Sequence, residues 1–194
     1  MRKVGERAAW AGAAGVDWIQ IREKDMATRS LLHLVRGVAA EIGTHGAATR
    51  IIVNDRLDVA LAAGAAGVHL GGQSLPVKDV AGWKGQGCAP AGFLIGASCH
   101  SPEAARAAEN DGADYVIFGP VFSTPSKLAY GPPLGTESLA KVCREIRIPV
   151  LAIGGITLEN ARACLEAGAA GLAAIRLFQE AVDLESVAAK LRAL

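Results

Sequence analysis

The sequence predicts an α/β fold of the (β/α)8, or TIM, barrel type, lacking or truncated in its first strand. Three observations predict it. A short unit recurs at Gly12-Ala-Ala-Gly-Val16, Gly64-Ala-Ala-Gly-Val68, Gly112-Ala-Asp-Tyr-Val116 and Gly168-Ala-Ala-Gly-Leu172, at offsets of 52, 48 and 56 residues. Each copy follows an Ala-rich amphipathic stretch and precedes an apolar run, so the glycine reads as a helix C-cap and the Val or Leu as a strand start. Intermediate units repeat the alternation, which makes one helix and strand about 25 residues long, the signature of stacked units around a parallel sheet.

The elements follow in order. A helix is expected over 3–13 and a strand over 17–22, then helix 27–43 and strand 50–54. Helix 56–63 leads to strand 67–71, and helix 77–85 to strand 93–98. Helix 102–111 is marked by Ser101-Pro102-Glu103, an N-cap with proline in the first turn, and precedes strand 115–119. Helix 136–146 leads to strand 149–153, helix 157–167 to strand 171–175, and helix 183–193 ends the series. The strands are short and apolar-rich, as strands covered by helices are. The series opens on a helix where a (β/α)8 barrel opens on a strand. No GxGxxG turn follows the first strand, which argues against the runner-up, an open doubly wound sheet. The longest loop, 120–135, holds four of the eight prolines and two glycines. Loops of that length are often lids over a site.

The chain of 194 residues, 51% hydrophobic and 20% charged, is expected to form one domain over 1–194 with a sizeable core. A formal net charge of +1 gives no broad basic surface, so nucleic acid is not an expected partner. No apolar run approaches the roughly 18 residues of a membrane span, and Val4-Gly-Glu6-Arg7 is not the apolar core of a signal peptide. A cytoplasmic location is the expectation. Cys88, Cys99, Cys143 and Cys164 lack the paired spacing of a zinc or redox motif and read as free thiols. Trp10, Trp18 and Trp83 read as core or helix-packing residues. Apolar edges left by an incomplete barrel lead to the expectation of a homodimer.

In such a barrel the chemistry lies at the C-terminal ends of the strands. Arg22 and Lys24, two apart on an extended backbone, point to one side and suit adjacent phosphate oxygens, the first as a bidentate fork and the second as a point charge. Alternatively, Arg22-Glu23-Lys24 is a solvated, salt-bridged cluster. Asp55 is a hard oxygen ligand suited to Mg2+, or else the N-cap of the helix beginning near Arg56. Thr124-Pro125-Ser126-Lys127 offers two hydroxyls and an ammonium for a diphosphate, or an ordinary proline-rich turn. Gly154 and Gly155 end a strand where backbone amides can approach a phosphate. His69 and His100 read as hydrogen-bonded structural histidines, having no nucleophile or metal partner at diagnostic spacing. An enzyme acting on small phosphorylated substrates is the reading that joins these clusters.

With those residues in view, the chain resembles the thiamine phosphate synthase family, which includes the related thiazole tautomerases (TenI-like proteins). The resemblance runs over essentially the whole chain. It rests on Gln20-Ile-Arg-Glu-Lys24, Val53-Asn-Asp-Arg56, Gly67-Val-His-Leu-Gly71, Ile95-Gly-Ala-Ser-Cys-His100, Gly119-Pro-Val-Phe-Ser-Thr-Pro-Ser-Lys127 and Ala152-Ile-Gly-Gly-Ile156. It implies a barrel that joins a hydroxymethylpyrimidine diphosphate to a thiazole phosphate, giving thiamine phosphate and pyrophosphate. By position, Gln20, Arg22, Lys24 and Asn54 would hold the pyrimidine diphosphate and Asp55 would hold Mg2+. Ser98 and Lys127 would contact pyrophosphate, Thr124 and Ser126 the thiazole phosphate side, and Gly155, next to Gly154, the product phosphate. The sequence departs from the synthases at Ser74, where they carry a second carboxylate, and at Arg176, where they place a serine; an arginine there would still bind phosphate. The tautomerase-type branch, or a non-catalytic phosphate-binding paralogue, is the alternative. The histidine expected of the tautomerases falls at Pro120.

Overall fold

The structure, a computed structural model, describes residues 2–124 and 132–194. All seven expected strands are present: β1 Trp18–Ile21, β2 Arg50–Asn54, β3 Gly67–Leu70, β4 Leu94–Cys99, β5 Tyr115–Phe118, β6 Val150–Ile153 and β7 Gly171–Ala173. They form one curled sheet in the order β1-β2-β3-β4-β5-β6-β7, and every neighbouring pair is parallel. Among the described residues β1 and β7 are its two edges, so the described sheet has seven strands and stays open between them.

The helices alternate with the strands: α1 Arg2–Ala13, α2 Thr28–Thr44, α3 Leu57–Ala63, α4 Val77–Trp83, α5 Pro102–Asn110, α6 Gly135–Glu145, α7 Ala161–Glu166, α8 Arg176–Gln179 and α9 Leu184–Arg192. The helices differ from the sequence reading in three places above all, and the strand expected over 171–175 ends at Ala173. α4 runs on into a wider turn over Lys84–Cys88, where Gly87 leaves helical geometry. The expected helix over 157–167 is regular only from Ala161, because Asn160 accepts from the Thr157 amide and organises the preceding turn. The four-residue α8 carries too little periodicity to be read from sequence. The repeated glycine behaves as read at Gly64, which caps α3 in the left-handed region at φ 68°, and at the first repeat the left-handed residue is Gly15 instead of Gly12.

Alternation along the strands sorts the side chains. Val53, Val68 and Ile95 point outward with Leu31, Val35, Val38 and Ile42, the buried stripe of α2. Val116, Phe118, Val150 and Ala152 point outward under Ala105 and Ala108 of α5 and Leu139 and Val142 of α6. Small alanines let these helices lie close to the sheet. Trp18 and Trp83 pack as expected, on Tyr115 and Phe93 respectively, but Trp10 is 57% exposed on α1.

Where the sheet is open, the outer ring of helices is tied together. Arg7 of α1 donates to the Phe178 and Ala181 carbonyls, and Arg192 of α9 bonds the Gly15 carbonyl and Asp17 beside β1. A cavity of about 240 Å3 remains between the sheet edges, lined by Val16, Asp17, Leu172, Phe178 and Leu191 among others. Among the described residues no helix is long and apolar enough to cross a membrane.

Candidate active site

Because all strands run the same way, their C-terminal ends make one rim, and the described candidate residues lie along it. Gln20 is on β1, with Arg22 and Lys24 just beyond it, all three exposed. Asn54 ends β2 and Asp55 follows. Ser98 lies near the end of β4, Thr124 beyond β5, Gly154 and Gly155 beyond β6, and Arg176 beyond β7. Ser126 and Lys127 lie outside the described residues.

Among the described residues neither Arg22 nor Lys24 is paired with a carboxylate, so the salt-bridged alternative for that cluster is not what the structure contains. Both charges stand at the rim, with no side-chain partner among the described residues. Arg56, in contrast, is fully engaged. It bonds both oxygens of Asp58 and, at 2.8 Å, the hydroxyl of Thr28, pinning the start of α2 to the start of α3. The Arg56 hydrogen bonds hold the Asp58 carboxyl below its ordinary range.

Asp55 adopts a left-handed backbone at φ 60°, uncommon for a residue with a side chain. Its amide donates to the His69 carbonyl at 2.8 Å, continuing the β2–β3 ladder by one more bond. The helix beginning at Leu57 has Arg56 at its N-cap with no side-chain cap, so Asp55 does not serve as the cap. Its carboxylate instead gathers donors from the end of its own strand and from the loop after β3. The Asn54 amide donates to one oxygen at 2.7 Å; the Ser74 hydroxyl and, at 3.4 Å, the Gly71 amide reach the other. Ser74 therefore stands against the acid from the next strand's loop, and accepts from the Gly71 amide at 2.6 Å.

A second group lies inside the sheet's curl, one level lower. His69, 2% exposed, places Nε2 2.8 Å from the Ser98 hydroxyl and Nδ1 3.3 Å from the Tyr115 hydroxyl. Burial pushes the imidazole down to about 4; the negative charge of Asp55 opposes that shift and the positive charge of Arg22 adds to it. Both rim charges thus act on this one ring. Burial also raises the Tyr115 phenol, with Asp114 adding to the effect. His100 bonds the Gly119 carbonyl, a structural role of the kind read from sequence.

The two glycines after β6 have a demanding neighbour. The loop after β5 zips onto them, with Val121 donating to the Ile153 carbonyl at 2.8 Å and Phe122 to the Gly154 carbonyl at 3.0 Å. A Cβ on Gly154 would come within 2.5 Å of Pro120, and one on Gly155 within 2.5 Å of the Ser123 carbonyl. Close passage of the chain's own loop is reason enough for glycine here. That loop delivers Thr124, only 8% exposed, to Arg176, whose Nη2 lies 3.4 Å from the Thr124 hydroxyl.

Sequence reasoning did not find Tyr115 or Gly96. The available signals were a polar aromatic in an apolar strand and a glycine inside a strand, which often marks close approach. Cys99 is buried and its thiol is pushed up to about 11 by desolvation, so the rim contains no reactive cysteine among the described residues.

A family profile described as thiamine monophosphate synthase matches residues 2–178. The thiamine-phosphate synthase of Methanocella arvoryzae is 44% identical over 188 residues, covering 97% of this chain and 84% of that protein. The one from Syntrophomonas wolfei is 40% identical over 191 residues, covering 98% of this chain and 88% of its own length. Among solved structures, thiamine phosphate pyrophosphorylase from Pyrococcus furiosus superimposes with a TM-score of 0.84 at 32% identity, covering 100% of this chain and 91% of that one.

Proposed function

The chain belongs to the thiamine monophosphate synthase family, and on that premise we propose that it condenses hydroxymethylpyrimidine diphosphate with a thiazole phosphate, giving thiamine phosphate and pyrophosphate. Supporting the reading is one rim where two cations without a carboxylate partner among the described residues, a carboxylate ringed by donors and the Ser98 hydroxyl lie on successive parallel strands β1 to β4. Gln20, Arg22, Lys24 and Asn54 hold the diphosphate. Thr124, Ser126 and Arg176 take the thiazole phosphate side, and Ser98 and Lys127 meet the departing pyrophosphate. The amides at Gly154 and Gly155 face the product phosphate.

The donor set at Asp55 fits Mg2+. It consists of hard oxygens (the Asp55 carboxylate and the Ser74 hydroxyl against it), and the ion favours one or two carboxylates with substrate phosphate and water completing its sphere. When bound, it neutralises charge on the diphosphate as the carbon–oxygen bond weakens. The rest belongs to the chain. Arg22 and Lys24 oppose the charge that grows on the leaving oxygens, in a site where preorganised charge counts for more than in water. The pair of electrons in the pyrimidine methylene–oxygen bond leaves with pyrophosphate. The thiazole nitrogen then donates its lone pair to that methylene carbon. No protein nucleophile is required; holding the two substrates in line supplies the remainder.

The reading takes residues 1–194 as one domain working in the cytoplasm as a homodimer, the unpaired edges of β1 and β7 being the reason to associate. Pyrophosphate release from the two substrates should vanish in chelator and return with added Mg2+. Chelator-insensitive turnover, or isomerisation of a thiazole carboxylate phosphate in its place, would move the assignment to the tautomerase branch. Arg22→Ala should raise KM for the diphosphate by about tenfold or more while leaving the melting temperature nearly unchanged, since Arg22 is exposed.

A further inference from the structure

We propose that Tyr115 is a positioning residue for the condensation: acting through His69, it turns the Ser98 hydroxyl hydrogen outward to the mouth, ready to be donated to pyrophosphate. The inference rests on the reading of Ser98 as a pyrophosphate contact.

The placement is set by register. His69 on β3, Gly96 on β4 and Tyr115 on β5 are successive partners across the sheet, so all three stand at one level of the curl. Gly96 has no side chain, which lets the two rings lean across β4 and meet. A Cβ at that position would lie 2.6 Å from His69 Nδ1 and closer still to the end of the Tyr115 ring. The Tyr115 ring is backed by Trp18, at 4.8 Å between ring centroids and edge-on. Ser98 lies two residues further along β4, on the same face and one step nearer the mouth.

Three groups in a line have only two consistent arrangements of hydrogens. A neutral imidazole carries a single N–H, and each hydroxyl carries a single O–H. In the first arrangement the Tyr115 hydroxyl donates to Nδ1, and Nε2–H donates to the Ser98 oxygen. The Ser98 hydrogen is then free to point to the mouth. In the second, Nδ1–H donates to the tyrosine oxygen and the Ser98 hydroxyl donates to Nε2. Only serine lone pairs then face the mouth, and pyrophosphate, an acceptor without donors when ionised, would be repelled.

Tyr115 decides between them. Among the described residues its hydroxyl has His69 Nδ1 as its only hydrogen-bond partner. It is 1% exposed, so water does not replace that acceptor. The second arrangement would strand a buried hydroxyl hydrogen, whereas the first gives it His69 Nδ1 as acceptor. The phenol remains protonated because burial raises it. The chain of donors therefore runs in one direction, from tyrosine to histidine to serine to ligand.

The test uses the full chain labelled with 15N and assayed with Mg2+ and both substrates. Imidazole nitrogen shifts in the parent should show His69 protonated on Nε2, and Tyr115→Phe, which keeps the ring packed on Trp18, should populate both tautomers. Ser98→Ala should lower kcat by about 100-fold, as loss of one donor to a developing anion does. Tyr115→Phe should lower kcat by about threefold to tenfold with KM little changed, and should have no further effect in the Ser98→Ala background. A parent tautomer protonated on Nδ1, or a Tyr115→Phe loss of equal factor in both backgrounds, would overturn the proposal. Full kcat in Ser98→Ala would overturn it too, through the reading of Ser98, while a retained Nε2 proton would leave the hydrogen-bond chain itself standing.

Discussion

Gly96→Ala is the substitution whose consequence the packing sets most sharply. One methyl group is added on β4, on the face that carries no side chain at this level. It would lie 2.6 Å from His69 Nδ1 and nearer to the Tyr115 ring end, both inside van der Waals contact. Neither ring is free to retreat. Tyr115 is 1% exposed against Trp18, and His69 is 2% exposed and bonded to Ser98. Overpacking a dense core by one methyl costs about 1–3 kcal/mol. Separating His69 from Tyr115 leaves two buried polar groups short of a partner, at about 1–3 kcal/mol more. Together these predict a loss of about 2–6 kcal/mol, or a fall in the urea midpoint of roughly 1–3 M at a slope of about 2 kcal/mol/M. Urea unfolding followed by circular dichroism measures it. Gly37→Ala is the matched control. That residue is exposed in the middle of α2, where a Cβ would meet nothing within 4 Å, and it should gain about 0.5–1 kcal/mol. A Gly96→Ala protein within 0.5 kcal/mol of the parent would refute the account of how these rings meet.

Three further outcomes follow from the same geometry. Asp55→Asn removes the one negative charge among the donors of Asn54, Gly71 and Ser74, and should cut kcat at saturating Mg2+ by about 100-fold or more; steady-state kinetics with pyrophosphate detection checks it. In metal-free buffer the His69 ring should stay neutral to well below the ordinary histidine range, titrating at about 4 by ring-proton NMR. The unfolded chain binds that proton near pH 6.5, so this group's contribution is fully present above pH 6.5 and declines as pH falls toward 4, by roughly 3 kcal/mol in all; an NMR midpoint near 6.5 would contradict it. Exposed Cys88 should react first with a water-soluble maleimide, while buried Cys99 and Cys164, whose thiols desolvation pushes up to about 11, should react only on unfolding. Mass spectrometry of the labelled chain distinguishes these sites.

Much of this protein was legible from residue order alone, because repeating apolar runs and glycine-ended helices are local patterns. Val53, Val68, Ile95 and Val116 announce strands by composition, and parallel strands must deliver their C-terminal residues to one rim. That logic located Gln20, Arg22, Asn54, Asp55 and Ser98 at a common mouth before any contact was known. Arg176 and Thr124 were named separately, 52 residues apart, and the fold makes them partners. Other features depended on angles and distances that a string of letters does not carry. The left-handed turn at Asp55 aims its carboxylate at Ser74, 19 residues later, instead of capping α3. His69 and Tyr115 meet across 46 residues of chain only because the register sets them level and Gly96 leaves the gap between them. Local periodicity assigns each residue to an element and a face. Which side chains touch is settled by register and curl, properties of the assembled sheet that no single segment possesses.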